Sequence, residues 1–353
     1  MIAGGSLVPL LLVAEGALLV TMALLLTGLA VGRSLRSRRL ARRVSLGRAA
    51  LRSHLDGAPM SSADRAVLAG LPATVALRLL ADFSASLSGG AREQVTTLAE
   101  ELGLSRWAAK RCRSRRWWRR LRGVRALTVL GGGDDVVPPL LFDGNSEIRA
   151  AAATWAAEHA RPNLIERLLD LLEDAEPLPR FTAKNALLRI GRDVAGPLEA
   201  RLAAARPGTA DAGLEVAVGL AERRLLAPAL ALTSDPSPAT RALAATLAGA
   251  VGGSAAARTV EGMVDDPEPE VRAAAVASLG KLGHWPAGPG IAEALGDPAW
   301  DVRRQAGLAL AALGSPGLLL LRRSLSDEDR FARDMARQVL DLPDTARLLE
   351  ESA

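Results

Sequence analysis

From Asp143 to Asp327 the chain repeats one pattern about every thirty residues: an Asp, usually a Pro, an Arg six positions on, an Ala nine on, and leucines closing on a Gly. The clearest copies are Asp266-Pro267 with Arg272, Ala275, Leu279, Leu282 and Gly283, and Asp297-Pro298 with Arg303, Ala306, Leu310, Leu313 and Gly314. Asp235-Pro236 leads in the same register to Arg241, Ala244 and Gly252, and Asp174 leads to Arg180, Ala183, Leu187, Ile190 and Gly191. Asp143 leads to Arg149 and Ala152, and Asp327 to Arg333, Ala336 and Leu340. A fixed period of this length restricts the fold to stacked units, because no single unit can bury its apolar face alone.

The offsets suit helices. Ala and the two leucines lie on one stripe of a 3.6-residue helix, and the closing Gly can take the left-handed conformation that ends it. The spacing predicts that the Asp caps the helix, with the following Pro at its first position. Return helices are expected over 227–232, 256–264, 290–295 and 316–325, and from Gly196-Pro197-Leu198 onward. The stretch Arg206 to Glu222 lacks the Arg and the Ala at their places, and Ser114 to Gly131 keeps Arg120, Leu127, Leu130 and Gly131 without an Asp-Pro start.

The Asp-Pro, Val271-Arg272 or Val302-Arg303, Ala, Leu-Gly signature resembles the HEAT repeats of bacteria, especially the short type of phycobilisome-lyase-like proteins. The resemblance implies an all-α solenoid of HEAT-like helical hairpins, here preceded by one transmembrane helix. It further implies that Arg149, Arg180, Arg241, Arg272, Arg303 and Arg333 form a structural ladder with Asp residues across the stack. Because second helices line the concave face in such solenoids, it also places a partner-binding strip there, with Arg258, Glu261, Glu293, Arg322 and Arg323 among its polar members.

Leu7 to Val31 is a run of 25 residues whose single charge is Glu15. At about 1.5 Å per residue it is long enough to cross a hydrocarbon core of about 30 Å. Arg33, Arg36, Arg38, Arg39, Arg42 and Arg43 follow at once, and no Lys or Arg precedes it. This asymmetry predicts a single-pass inner-membrane protein with its amino terminus outside and the rest in the cytoplasm. A cleaved signal peptide, suggested by Gly28-Leu29-Ala30, is the rival reading; it calls for a basic start and a shorter apolar run. Glu15 either reaches the interface or is protonated, or it pairs with another helix.

Organisation is expected as an anchor at 1–32 (helix about 7–31), a basic juxtamembrane helix at 33–60, a helical cap at 61–113, the repeat array at 114–342 and a tail at 343–353. Leu35 to Leu55 reads either as an amphipathic helix on anionic headgroups or as a solvated charged helix. Ser61-Ser62-Ala63-Asp64 resembles a capping box, Pro72 is expected to kink or split the helix after it, and Ser88-Gly89-Gly90 to form a turn.

From Arg33 to Arg125 there are 21 basic and 6 acidic residues, a balance of +15, whereas Ala126 to Ala353 has 23 and 32, a balance of −9. Within the basic part, Trp107, Trp117 and Trp118 stand among Lys110, Arg111, Arg113, Arg115, Arg116, Arg119, Arg120, Arg122 and Arg125. Three readings stay open: the tryptophans fill a seam between cap and first repeat; the segment, with Arg111, Arg115, Arg116 and Arg119, faces anionic lipid; or it stacks nucleic-acid bases.

No active site is expected. His54, His159 and His284 are far apart, Cys112 is the only cysteine, and Glu158-His159 reverses the His-Glu order of the HEAT-like deoxyhypusine hydroxylases. Gly131-Gly132-Gly133 precedes two aspartates instead of Lys-Ser, so it reads as a turn and not a phosphate loop. His284-Trp285 reads as turn packing. The expected function is a membrane-anchored cytoplasmic scaffold for protein-protein interaction, not an enzyme, with no cofactor, metal or small-molecule substrate. Its partner is expected to be a membrane-associated protein; anionic headgroups are a further candidate, and the acidic array disfavours nucleic acid. The alternative is a HEAT-like enzyme of lyase type or a nucleic-acid-binding solenoid.

Overall fold

The computed structural model describes residues 7–56, 58–84 and 90–342. It contains helices and turns, with no strand among the described residues, and falls into two compact units, Met1–Val136 and Val137–Ala353. The expected tail at 343–353 and the turn residues Ser88 and Gly89 lie outside the described residues.

The first unit is built on α1 (Leu7–Leu55), a single helix of 49 residues. The change from apolar to arginine-rich sequence at Gly32 does not break it, so the expected separate juxtamembrane helix is its continuation. Leu40, Val44, Leu51 and Leu55 recur at helical spacing among the arginines and pack with the short helices that follow, Leu51 being completely buried. That apolar stripe is therefore used inside the protein and is not free to lie on lipid. Gly47 lets α1 come close, since a Cβ there would lie 3.0 Å from a Leu68 methyl.

The partner helices are α2 (Ser62–Ala69), α3 (Ala73–Ser84), α4 (Gly90–Glu101), α5 (Leu104–Cys112) and α6 (Trp117–Leu130). Ser61 caps α2 by accepting from the Asp64 amide, and Pro72 marks the break between α2 and α3. Leu68, Leu79, Leu80, Leu98, Leu104 and Leu130 join Leu51 in one core.

The second unit stacks hairpins in two layers. The first layer is α7 (Ser146–Ala156), α9 (Pro177–Ile190), α11 (Asp211–Leu220), α13 (Pro238–Val251), α15 (Pro269–Leu282), α17 (Trp300–Ala312) and α19 (Arg330–Leu340), each packed on the next. The return layer is α8 (Pro162–Asp170), α10 (Ala195–Ala203), α12 (Leu226–Leu232), α14 (Ser254–Glu261), α16 (Gly288–Glu293) and α18 (Ser315–Ser324). Ala245, Ala275, Leu279, Ile291, Ala306, Leu310 and Leu321, buried between the layers, belong to one core that runs through several units. α15 ends where Gly283 takes the left-handed conformation, with φ 62°. In the degenerate unit the same role falls to Ala221, with φ 50°, a conformation that costs a residue with a Cβ about 1 kcal/mol.

The repeated Asp is not the helix cap. α15 begins at Pro269 with Glu268 as its N-cap, and α13 begins at Pro238 with Ser237. Proline does open these helices, but it is Pro269 and Pro238 rather than Pro267 and Pro236. The Asp instead ends the preceding turn in extended backbone, and its carboxylate accepts from the amide two residues on: Asp266 from Glu268 at 3.0 Å, Asp297 from Ala299 at 2.7 Å.

Candidate partner-binding surface

The ladder begins with that carboxylate. Arg149 reaches Asp174 through two bonds of 2.7 Å, Arg241 reaches Asp266 at 2.9 and 2.8 Å, and Arg272 reaches Asp297 at 2.8 and 2.9 Å. Each of these arginines also donates Nη1 to the carbonyl of its own unit's Asp, six residues back: Asp143, Asp235 and Asp266. One guanidinium thus ties two units, with both partners largely buried. The fork of Arg matches a carboxylate edge-on, a geometry Lys lacks. The Arg149 and Arg241 hydrogen bonds hold the Asp174 and Asp266 carboxyls below their ordinary range. At Asp297 burial pushes up, and the Arg272 bond with the Ala299 amide outweighs it, so that carboxyl too is lowered.

Three members of the expected ladder stop short. Arg180, Arg303 and Arg333 keep the bond to their own Asp carbonyl, at 2.7, 2.7 and 2.6 Å, but reach no carboxylate among the described residues. After Arg180 comes the degenerate unit, which has no Asp at the repeat position. There the Asp235 carboxylate, which would receive that unit's missing Arg, accepts from the Gly208 amide at 3.1 Å, and Asp211 accepts from Thr240 Oγ1. Arg303 lies over the Phe331 ring, 4.6 Å from its centroid.

The expected strip residues Arg258, Glu261, Glu293, Arg322 and Arg323 are all exposed, on α14, α16 and α18. Glu261 and Glu293 line the same open cavity of about 370 Å³, beside Arg272; Arg258, Arg322 and Arg323 do not. Asp265, which sequence reasoning passed over, lines it too. Glu261 is within 3.3 Å of His284 Nε2, whereas Arg258, Glu293, Arg322 and Arg323 have no ion-pair partner among the described residues. Earlier units differ: Lys184–Glu215, Arg192–Glu222, Arg224–Glu199, Arg201–Asp170 and Arg189–Glu158 pair surface charges of successive repeats. Trp285 is 66% exposed, so it does not pack the turn as expected.

Of the basic residues assigned to lipid, Arg33, Arg38, Arg39, Arg42 and Arg43 lie along α1, and the side chain of Arg36 lies outside the described residues. Arg111 is on α5, Arg115 and Arg116 are in the turn, and Arg119 is on α6. Trp117 and Trp118 are 45% and 37% exposed, whereas Trp107 on α5 is half-buried. His159 stacks on Trp155 with ring centroids 4.1 Å apart, and among the described residues no cluster of His, Cys, Asp or Glu could hold a metal ion. Burial pushes the Cys112 thiol up to about 11.

A chain whose units are paired helices, tied by Arg–Asp bonds between neighbours, is an α-solenoid. Residues 226–289 and 257–341 match the HEAT repeats family, and these residues are HEAT repeats. In solved structures the chain is similar to Kap95 in the Kap95:Nup1 complex, at TM-score 0.52 and 12% identity over 88% of this chain and 53% of that one. It is also similar to the karyopherin Kap121p bound to the extreme C-terminus of the protein phosphatase Cdc14p, at TM-score 0.50 and 12% identity over 88% and 43%. The complex of CpcE and CpcF of phycocyanin lyase from Nostoc sp. PCC7120 gives a TM-score of 0.38 and 18% identity over 61% and 92%. At these identities the likeness is one of fold. The chain spans about half the length of the two karyopherin-type structures. No curated protein matches it.

Proposed function

We propose that the protein is a membrane-anchored scaffold whose cytoplasmic HEAT-repeat solenoid holds a membrane-associated protein partner through the return helices α14, α16 and α18. The observation that carries this reading is that Arg258, Glu293, Arg322 and Arg323, exposed on those helices, have no ion-pair partner among the described residues and Glu261 meets only His284, whereas Lys184, Arg189, Arg192, Arg201 and Arg224 of earlier units pair across repeats. Such charges keep their full field for a complementary surface and govern encounter and specificity. Support for the anchor comes from α1, the one helix among the described residues long and apolar enough to cross a membrane, with a mean hydropathy of 1.8 and no burial over its most apolar window. Anchorage raises the effective concentration of solenoid and partner at the same surface. The arginines after Gly32 support an orientation with the solenoid on the cytoplasmic side of the inner membrane. The protein acts by binding and has no catalysis of its own.

The test is crosslinked recovery from membranes by the full-length chain. Glu261→Lys with Glu293→Lys should leave melting unchanged, because exposed positions away from caps and core cost within about 0.5 kcal/mol. The same pair should reduce recovery of the partner at least tenfold. Unchanged recovery, or substrate turnover by the purified chain, overturns the reading.

A further inference from the structure

The hairpin of α5 and α6 concentrates positive charge. No acidic residue lies between Leu102 and Gly133. Among the described residues Arg111, Arg113, Arg115, Arg116, Arg119 and Arg122 have no carboxylate partner, unlike the surface residues Arg189, Arg192, Arg201 and Arg224. Four of these guanidinium groups gather on indole faces instead. Arg111 lies 3.9 Å from the Trp107 ring centroid, and Arg119, Arg122 and Arg116 lie 5.0, 5.5 and 5.8 Å from that of Trp118. Gly123 brings the two helices together, since a Cβ there would sit 2.7 Å from Cys112 Sγ and 2.8 Å from the Ala108 carbonyl. The Nε atoms of Arg111 and Arg119 are buried without a partner.

A guanidinium stacked on a ring uses its face and keeps its in-plane N–H edge for an anion, which suits a phosphate. Free indole faces would point to nucleic-acid bases, but those of Trp107 and Trp118 already carry arginines. Exposed Trp beside Arg is the composition of a bilayer interface, where the ring sits at headgroup level and the cations meet phosphates. Leu104 at the start of α5 and Leu130 at the end of α6 share a core with Leu51 of α1. Only the stretch from Gly32 to Leu40, about 12 Å of helix, separates the apolar run from that core.

We propose that the α5–α6 hairpin is a docking surface for an anionic phospholipid bilayer, with Trp117 and Trp118 at headgroup level and Arg111, Arg115, Arg116, Arg119 and Arg122 against lipid phosphates. The inference rests on the proposed anchor only for proximity to the membrane, and the two can be tested apart. All six tryptophans lie outside α1. Tryptophan quenching by brominated lipid therefore reads the docking surface, while co-flotation with purely neutral vesicles reads the anchor.

The full-length chain is reconstituted in vesicles of neutral phosphatidylcholine, or with about 30% phosphatidylglycerol, each containing lipid brominated near the headgroup end of its acyl chains. Quenching should be strong in the anionic vesicles at about 0.15 M salt, lost at about 1 M, and absent in neutral ones. Trp117→Phe with Trp118→Phe should remove it. Each Arg near such a surface contributes a factor of about 5, so Arg115, Arg116, Arg119 and Arg122 all changed to Gln should weaken docking several hundredfold, on the order of 5⁴. The same four changed to Lys should retain docking, and unchanged helicity of both variants shows that the hairpin remains folded. Equal quenching in neutral and anionic vesicles, no quenching in either, or displacement from anionic vesicles by an equimolar single-stranded oligonucleotide overturns the proposal.

Discussion

Arg272 and Arg303 occupy the same repeat position, yet only Arg272 holds a carboxylate. Truncating Arg272 leaves the largely buried Asp297 carboxylate with only its backbone bond, a loss of about 2–3 kcal/mol. Arg303→Ala removes carbonyl bonds and a ring contact, at about 1 kcal/mol. Circular-dichroism melting of the full-length chain should therefore fall by about 4–8 °C for Arg272→Ala and by less than half of that for Arg303→Ala. Equal losses would refute the distinction between the two sites. Because the Asp174, Asp266 and Asp297 carboxyls are held below their ordinary range, their contribution is complete above about pH 4 and is lost as pH falls through the lowered values. Acid melting of a chain carrying Arg272→Ala with Asp297→Asn should fall less steeply with pH than that of the native chain. Ala221→Gly should stabilise by about 0.5–1 kcal/mol, because Gly adopts positive φ without the steric cost. The ladder arginines are legible in the sequence because their period is regular. The role of the aspartates is not, because Asp-Pro offers a local explanation, helix capping, while the partner that takes the carboxylate lies 25 residues away.

At the scale of elements, α11 is the weak member of the stack. Ala204 and Ala210 stand where other units have the Asp and Arg, so the ladder stops after α9 and resumes at α13. The joint is held by the Gly208 amide and the Thr240 hydroxyl. In a repeat stack, stability sums from units and nearest-neighbour interfaces, so amides of α11 should exchange with deuterium before those of α15. Simultaneous exchange would remove any special weakness at α11. α1 shows the limit of reading by composition. The change at Gly32 looks like a boundary, but Leu40, Val44, Leu51 and Leu55 keep a helical stripe hidden among arginines, and only packing reveals its use. Leu51→Ala should destabilise the first unit by about 2–5 kcal/mol, read by protease resistance of 33–130 at increasing urea. A loss under about 1 kcal/mol would mean that α1 is not rooted in that core.

For the whole molecule, the sequence carries fold and charge asymmetry well because both are spread over many residues. The return-helix cavity was only partly legible. Glu261 and Glu293 followed from placing the return helices, while Asp265 enters the cavity from the turn after α14, where period alone assigns no face. If α1 fixes a cytoplasmic solenoid to the membrane as proposed, the two faces of that membrane differ in protease access to the solenoid. Protease added to inverted membrane vesicles should digest the solenoid and leave a short membrane-bound fragment that includes the apolar part of α1. Protease added to intact spheroplasts should leave the solenoid whole. A solenoid digested in spheroplasts and spared in inverted vesicles, or a full-length chain released by alkaline carbonate, would rule out this anchorage.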